Sequence, residues 1–130
     1  MSRPSVTVYV CICCGARGEG HQLYRDIVAR AHELVVDTVF VPVECLSACG
    51  QPATVAFAAK DRWSYVARGL VGAQAVDTLF RAIELYAEFS GGAIPWQMRP
   101  AFLKQGLVAR LPPAASTEEI NPFKRPHRSP

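Results

Sequence analysis

Apolar and polar positions along the chain fall into two different periods. Val6-Thr7-Val8-Tyr9-Val10 is β-branched and aromatic, and predicts a strand that ends at Cys11. Residues 11–20 contain Gly15, Gly18 and Gly20 and predict a loop. Leu23, Ile27, Ala31, Leu34 and Val35 then recur at the three- and four-residue spacing of one helix face, with Arg25, Arg30 and Glu33 falling elsewhere. Residues 39–43 predict a second strand that stops just short of Cys45. Residues 53–58 and 63–67 predict a third and a fourth strand, joined as a hairpin by the turn Ala59-Lys60-Asp61-Arg62. Val76, Leu79, Phe80, Ile83, Tyr86 and Ala87 mark a second helix, which Gly91-Gly92 ends. Residues 100–106 predict one more short helix, with Pro100 in its first turn.

The order β-α-β-β-β-α predicts an α/β protein with a central mixed sheet flanked by helices, a pattern that suits a thioredoxin-like fold. If the first helix is a crossover between two parallel strands, both strands finish at the same edge of the sheet. Cys11 and Cys14 follow the first strand end, and Cys45 and Cys49 follow the second. Topology alone then carries two cysteine pairs, some 30 residues apart in sequence, to one place.

Composition narrows the picture. With 130 residues, half of them apolar, the chain suits one domain, expected over residues 1–111. Residues 112–130 open on a Pro-Pro pair, are otherwise polar, and predict an unstructured tail. The net charge of +3 is too mild to suggest nucleic acid, and Lys124-Arg125-Pro126-His127-Arg128 reads as a solubilising basic end. No apolar run approaches the ~20 residues of a membrane span. The apolar stretch 6–14 is short and lacks a cleavage site, so no signal peptide is expected and cytoplasmic residence is the default. Thiols stay reduced there, so paired cysteines argue for metal or redox work over structural disulfides.

Five cysteines occur, at positions 11, 13, 14, 45 and 49. Cys11-x-x-Cys14 can turn two thiolates toward one centre while backbone N–H groups point at the sulfurs, and Cys45-x-x-x-Cys49 does so with one more residue of slack. Buried, unreactive thiols are the bland alternative, which fits Cys13 but not four loop cysteines beside glycines. A redox dithiol of Cys11 and Cys14 is a further alternative, yet such sites normally open a helix, and here a glycine-bearing loop intervenes. Cys11, Cys14, Cys45 and Cys49 are therefore the expected ligand set. A zinc site with four cysteines usually has 15–20 residues between its pairs. The gap here spans a helix inside a domain with its own core. A 2Fe–2S cluster, whose ligands spread over two irons, is favoured, with zinc as the alternative.

Cys45-Leu46-Ser47-Ala48-Cys49, followed by Pro52 and Thr54-Val55-Ala56, resembles the second cysteine segment of thioredoxin-like 2Fe–2S ferredoxins, including the ferredoxin-like subunit of respiratory complex I. More widely, residues 5–113 resemble the domain-of-unknown-function family 1636, described as predicted metal-binding proteins. The matching features are Cys11-x-x-Cys14, Val43-Glu44-Cys45-Leu46-Ser47-x-Cys49, Trp63-Ser64-Tyr65-Val66, Pro95-Trp96, Arg99-Pro100, and Ala109-Arg110-Leu111-Pro112-Pro113. The resemblance implies a thioredoxin-like fold and metal binding, and family analogy a possible homodimer; with the favoured 2Fe–2S cluster near the surface, the expected role is an electron carrier or redox sensor that docks a protein redox partner, the alternative being a zinc-binding or metal-delivery module. The resemblance implies no reaction. Many relatives carry a further cysteine where this chain has Ala53, and Cys13 is an addition here that could compete with Cys14. The complex I subunit has a longer spacing in its first pair.

Pro52, just before the third strand, is either the cis proline that thioredoxin-like folds carry there or an ordinary trans turn proline, which base rates favour. Gly50 gives the backbone room near the metal. His21 could replace a thiolate, as in Rieske centres, but reads better as a polar residue at a helix start, with His32 at the surface and His127 in the tail. Trp63, Tyr65 and Trp96 read as packing residues, and Arg99 and Arg110 as either ion-paired within the fold or facing a partner. No general acid–base pair, Ser–His–Asp ordering or phosphate loop is present, so an enzyme is not expected.

Overall fold

The computed structural model describes residues 5–13, 15–48 and 50–114. One five-stranded mixed sheet with two helices organises them. Its strands are β1 (Val6–Cys11), β2 (Thr38–Val43), β3 (Val55–Ala58), β4 (Ser64–Ala67) and β5 (Leu107–Leu111), in the order β2-β1-β3-β4-β5. The helices are α1 (Glu19–Arg30) and α2 (Ala75–Glu88).

β1 and β2 run parallel, in register from Val6 opposite Thr38 to Cys11 opposite Val43. β1 with β3, β3 with β4 and β4 with β5 are antiparallel. α1 is the crossover that a parallel pair needs. Its 12 residues span about 18 Å at 1.5 Å per residue. The six-residue strand it returns along is about 20 Å long at 3.3 Å per residue. A longer helix would overshoot, and this explains a correction: the helix expected to run through Val35 stops at Arg30. A single 3-10 turn, Ala31–Glu33, follows. Val35 is 84% exposed and Val36 is buried in its place.

Alternation in β1 sends Val6, Val8 and Val10 to one face, all fully buried. They pack with Val55, Phe57, Tyr65 and Ala67 of the hairpin, Leu23 and Ile27 of α1, and Leu79, Ile83 and Tyr86 of α2. The other face, with Thr7, Tyr9, Val41, Val43, Ala56 and Val66, is only half-buried.

The hairpin and the second helix form as the pattern predicts, with strand limits one or two residues shorter. Gly91 (φ 66°) and Gly92 (φ 71°) turn the chain after α2 in a backbone conformation that glycine adopts without strain. Arg62 donates from Nη1 to the Tyr86 and Phe89 carbonyls, closing that helix end. The short helix expected over 100–106 is one 3-10 turn, Ala101–Leu103.

β5 is a strand that the sequence pattern does not reveal. Its residues do not alternate cleanly in burial, and it pairs with a partner some 40 positions earlier. What recruits it is the open edge of β4, whose backbone groups need partners. β5 ends at Leu111. Of the expected tail, residues 115–130 lie outside the described residues.

Candidate functional site

Where β1 and β2 end together, the chain leaves the sheet in two loops. Ile12 N–H donates to Val43 O at 2.9 Å, so the parallel ladder continues one residue past Cys11. Cys11 is 3% exposed, and its Sγ lies 3.7 Å from Glu44 O. Cys45 follows one residue later and is exposed at the surface. The parallel register thus carries the first cysteine of each pair to the same sheet edge. Cys14 and Cys49, the second of each pair, lie outside the described residues. Cys13 is exposed. Among the described residues no three His, Cys, Asp or Glu side chains are grouped to hold a metal ion.

The loop of residues 44–54 is pinned from both sides. Cys11 N–H donates to Thr54 O at 3.0 Å, and beyond it Gly69 N–H donates to Gln51 O and Leu70 N–H to Ala53 O. Thr54 is fully buried, and its hydroxyl donates to Ala48 O at 2.9 Å across six residues. That bond ties the turn carrying Cys45 to the root of β3. Ser47 takes a left-handed backbone (φ 57°), unusual for a residue with a side chain. The turn aims its N–H at Cys45 Sγ, 3.1 Å away. A backbone N–H directed at a sulfur stabilises thiolate charge.

The other loop meets this one. A Cβ on Gly15 would sit 3.0 Å from Pro52 Cβ and collide with the Glu19 carboxylate, so Gly15 (φ 92°) permits both the turn and the close approach. Glu19 Oε1 accepts from Arg17 N–H at 3.0 Å, closing the loop onto the start of α1. The cis bond here joins Pro52 to Ala53, one peptide later than the Gln51–Pro52 bond of a cis proline.

Gly50 provides room, but for a side chain: a Cβ there would lie 2.7 Å from Arg68 Nη1. The Arg68 guanidinium therefore rests on the Cys45 loop. No carboxylate pairs with it among the described residues. Thr54, Ser47 and Arg68 went unnoticed as site residues in the sequence. Only the Ser in Cys-x-Ser offered a signal, because the other two act through contacts remote in the chain.

His21 lies in the first turn of α1, exposed. It lines an open cleft of about 540 Å³ with Arg17, Arg25, Asp26 and Leu70. His32 is exposed in the 3-10 turn after α1, and His127 lies outside the described residues. Trp63 and Tyr65 pack as expected, whereas Trp96 is 56% exposed. Arg99 and Arg110 form no ion pair among the described residues and stack on aromatic rings instead.

No helix of the described residues is long and apolar enough to cross a membrane. Compared with known proteins, residues 8–113 match the family described as a protein of unknown function, DUF1636. No curated protein and no solved structure matches the chain.

Proposed function

The chain belongs to the DUF1636 family, and from there we propose that it is a small metal-binding protein, a 2Fe–2S electron carrier or redox sensor held by Cys11, Cys14, Cys45 and Cys49. The observation that carries this reading is the register of β1 and β2. Cys11 lies opposite Val43, and Cys45 follows two residues beyond, so two thiol-bearing loops leave one edge side by side. The order β2-β1-β3-β4, with the first pair parallel and the next two antiparallel, supports a thioredoxin-like assignment.

The donor set fits a thiolate-bound centre. Cys45 already accepts a backbone N–H, and exposed Cys45 sits at the surface where a partner could approach. Cys11 is buried beside Glu44 O and must lose its proton to ligate, so loading is proton-coupled. When bound, a 2Fe–2S cluster supplies a one-electron couple whose potential follows hydrogen bonds to sulfur and solvent exposure. Cys11, Cys14, Cys45 and Cys49 would hold it. Ser47 N–H stabilises charge on Cys45, Thr54 fixes the loop, and the Arg68 cation lies over that loop. The dithiol alternative loses support because α1 begins at Glu19, five residues after Cys14, so no helix N-terminus stands at the Cys-x-x-Cys pair.

Metal and sulfide analysis with a visible spectrum, on protein purified without air, tests the reading. Two irons per chain, with bands that bleach on reduction, are expected. A colourless protein holding stoichiometric zinc overturns the cluster and leaves a metal-binding module with no redox role. Protein that binds neither metal overturns both. We place the protein in the cytoplasm, where its thiols stay reduced, with a redox protein as its partner.

A further inference from the structure

Six side chains at the β4–β5 side of the molecule form an alternating row of rings and cations. Arg110 Cζ lies 4.1 Å from the Trp63 ring centre and 5.3 Å from that of Tyr65. Arg99 Cζ lies 5.7 Å from Tyr65 and 5.4 Å from Trp96, and Lys104 Nζ lies 5.7 Å from Trp96. The order is Trp63, Arg110, Tyr65, Arg99, Trp96, Lys104. Each of these cations lies within cation–π distance of a ring, and the row runs from buried Tyr65 out to exposed Trp96.

None of the three cations forms an ion pair among the described residues, where the ion pairs involve Arg30 and Arg81. Among the described residues Arg99 donates only from its Nε, to Ile94 O at 3.0 Å. Arg110 Nε is enclosed and has no partner among the described residues. Three positive charges without counter-charges among the described residues thus lie along the row, two of them against Trp96, and Trp96 and Met98 are 56% and 44% accessible. Met98 and Arg99 also rim a shallow cleft of about 370 Å³ against α2, with Gln74, Thr78, Arg81 and Asp77, whose carboxylate is paired with Arg30. Methionine and arginine at this rim, and exposed Trp96 two residues earlier in the chain, are residue types enriched in protein interfaces.

From this arrangement we propose that the ring-and-cation row is a docking surface for an acidic segment of a partner protein. Carboxylates would pair with Arg110, Arg99 and Lys104, and an apolar side chain would rest on Trp96 and Met98. Nucleic acid fits less well. Base stacking needs uncovered aromatic faces, and the Trp96 ring already carries two cations and the Trp63 ring one. A row of cations separated by rings also suits carboxylates repeated along a chain better than one compact anion. The surface stands on residues remote in sequence from the cysteines and does not depend on what metal they hold.

The chain has two tryptophans, and both are in the row, so intrinsic fluorescence reads this surface directly. Titration of the full chain with poly-L-glutamate at low salt should change tryptophan emission in a saturable, salt-sensitive way. The double substitution Arg99→Gln/Arg110→Gln should weaken binding by about tenfold or more. Lys104→Gln, at a side chain outside the core, should weaken it about threefold even if the double variant fails to fold. Arg25→Gln, on α1, should leave it unchanged. Three results would each overturn the proposal: no response by the full chain, equal weakening by Arg25→Gln, or tighter binding of a single-stranded oligonucleotide of matched charge.

Discussion

Gly106→Ala should be among the most damaging conservative substitutions in the molecule, although the residue lies in a segment the sequence marks as unremarkable. Gly106 is buried immediately before β5, and its carbonyl accepts Arg68 N–H at 2.8 Å. A Cβ there would lie 2.6 Å from Phe102 O and closer still to Arg68 O, both backbone atoms that cannot rotate away. Relief requires β5 to move off β4. Overpacking of this kind costs about 1–3 kcal/mol, and a buried backbone hydrogen bond left unmade adds about 1–3 kcal/mol. The lower entropy of the unfolded alanine chain returns about 0.4–1 kcal/mol. The net loss is about 1–6 kcal/mol, a large share of the roughly 5–15 kcal/mol typical of a domain. Urea unfolding followed by circular dichroism measures it. Gly18→Ala is the matched control: that residue has φ 75° but nothing within 4 Å of its Cβ, so only left-handed strain is added, about 1 kcal/mol. If Gly106→Ala lost under 0.5 kcal/mol, or less than Gly18→Ala, the steric account of how β5 is seated would be wrong.

The ligand loop and the core make further claims. Thr54→Val removes the hydroxyl that Ala48 O accepts in the interior. It should cost about 1–3 kcal/mol and lower metal occupancy in reconstitution, measured by metal analysis. Cys45→Ser should abolish stoichiometric metal binding while leaving the far-ultraviolet spectrum intact, because Cys45 is exposed and outside the core. Burial pushes the Tyr86 phenol from 10.0 up to about 12, while its hydroxyl donates to Trp63 O. The neutral form is thus favoured in the fold. That contribution is complete below pH 10 and is lost as pH rises through 12, with stability falling by up to about 1.4 kcal/mol per pH unit. Alkaline titration of the urea midpoint, with Tyr86→Phe as reference, shows the step in the wild type and its absence in the variant.

How much of this was legible in the sequence follows from which interactions are local. Alternation over residues 6–10 and the three–four spacing from Val76 to Ala87 encode elements whose buried faces are set within the element, and the first strand, the hairpin and the second helix formed accordingly. The β-α-β order encoded more, since a helix of that length between two strands makes them parallel neighbours and puts Cys11 and Cys45 at one edge. The first helix is shorter than its pattern, because Ala31, Leu34 and Val35 continue its period while the length of the neighbouring strand ends it. Three things had no local trace. β5 exists because β4 leaves an open edge, Arg68 lies over the Cys45 loop because Gly50 leaves space, and Arg99 and Arg110 choose rings over carboxylates. Each depends on which surfaces meet across 18 to 47 residues of chain, and a one-dimensional pattern carries no term for that distance. Backbone propensity and hydrophobic period settle an element's kind and inward face, whereas packing decides which edge, void or ring it finds there.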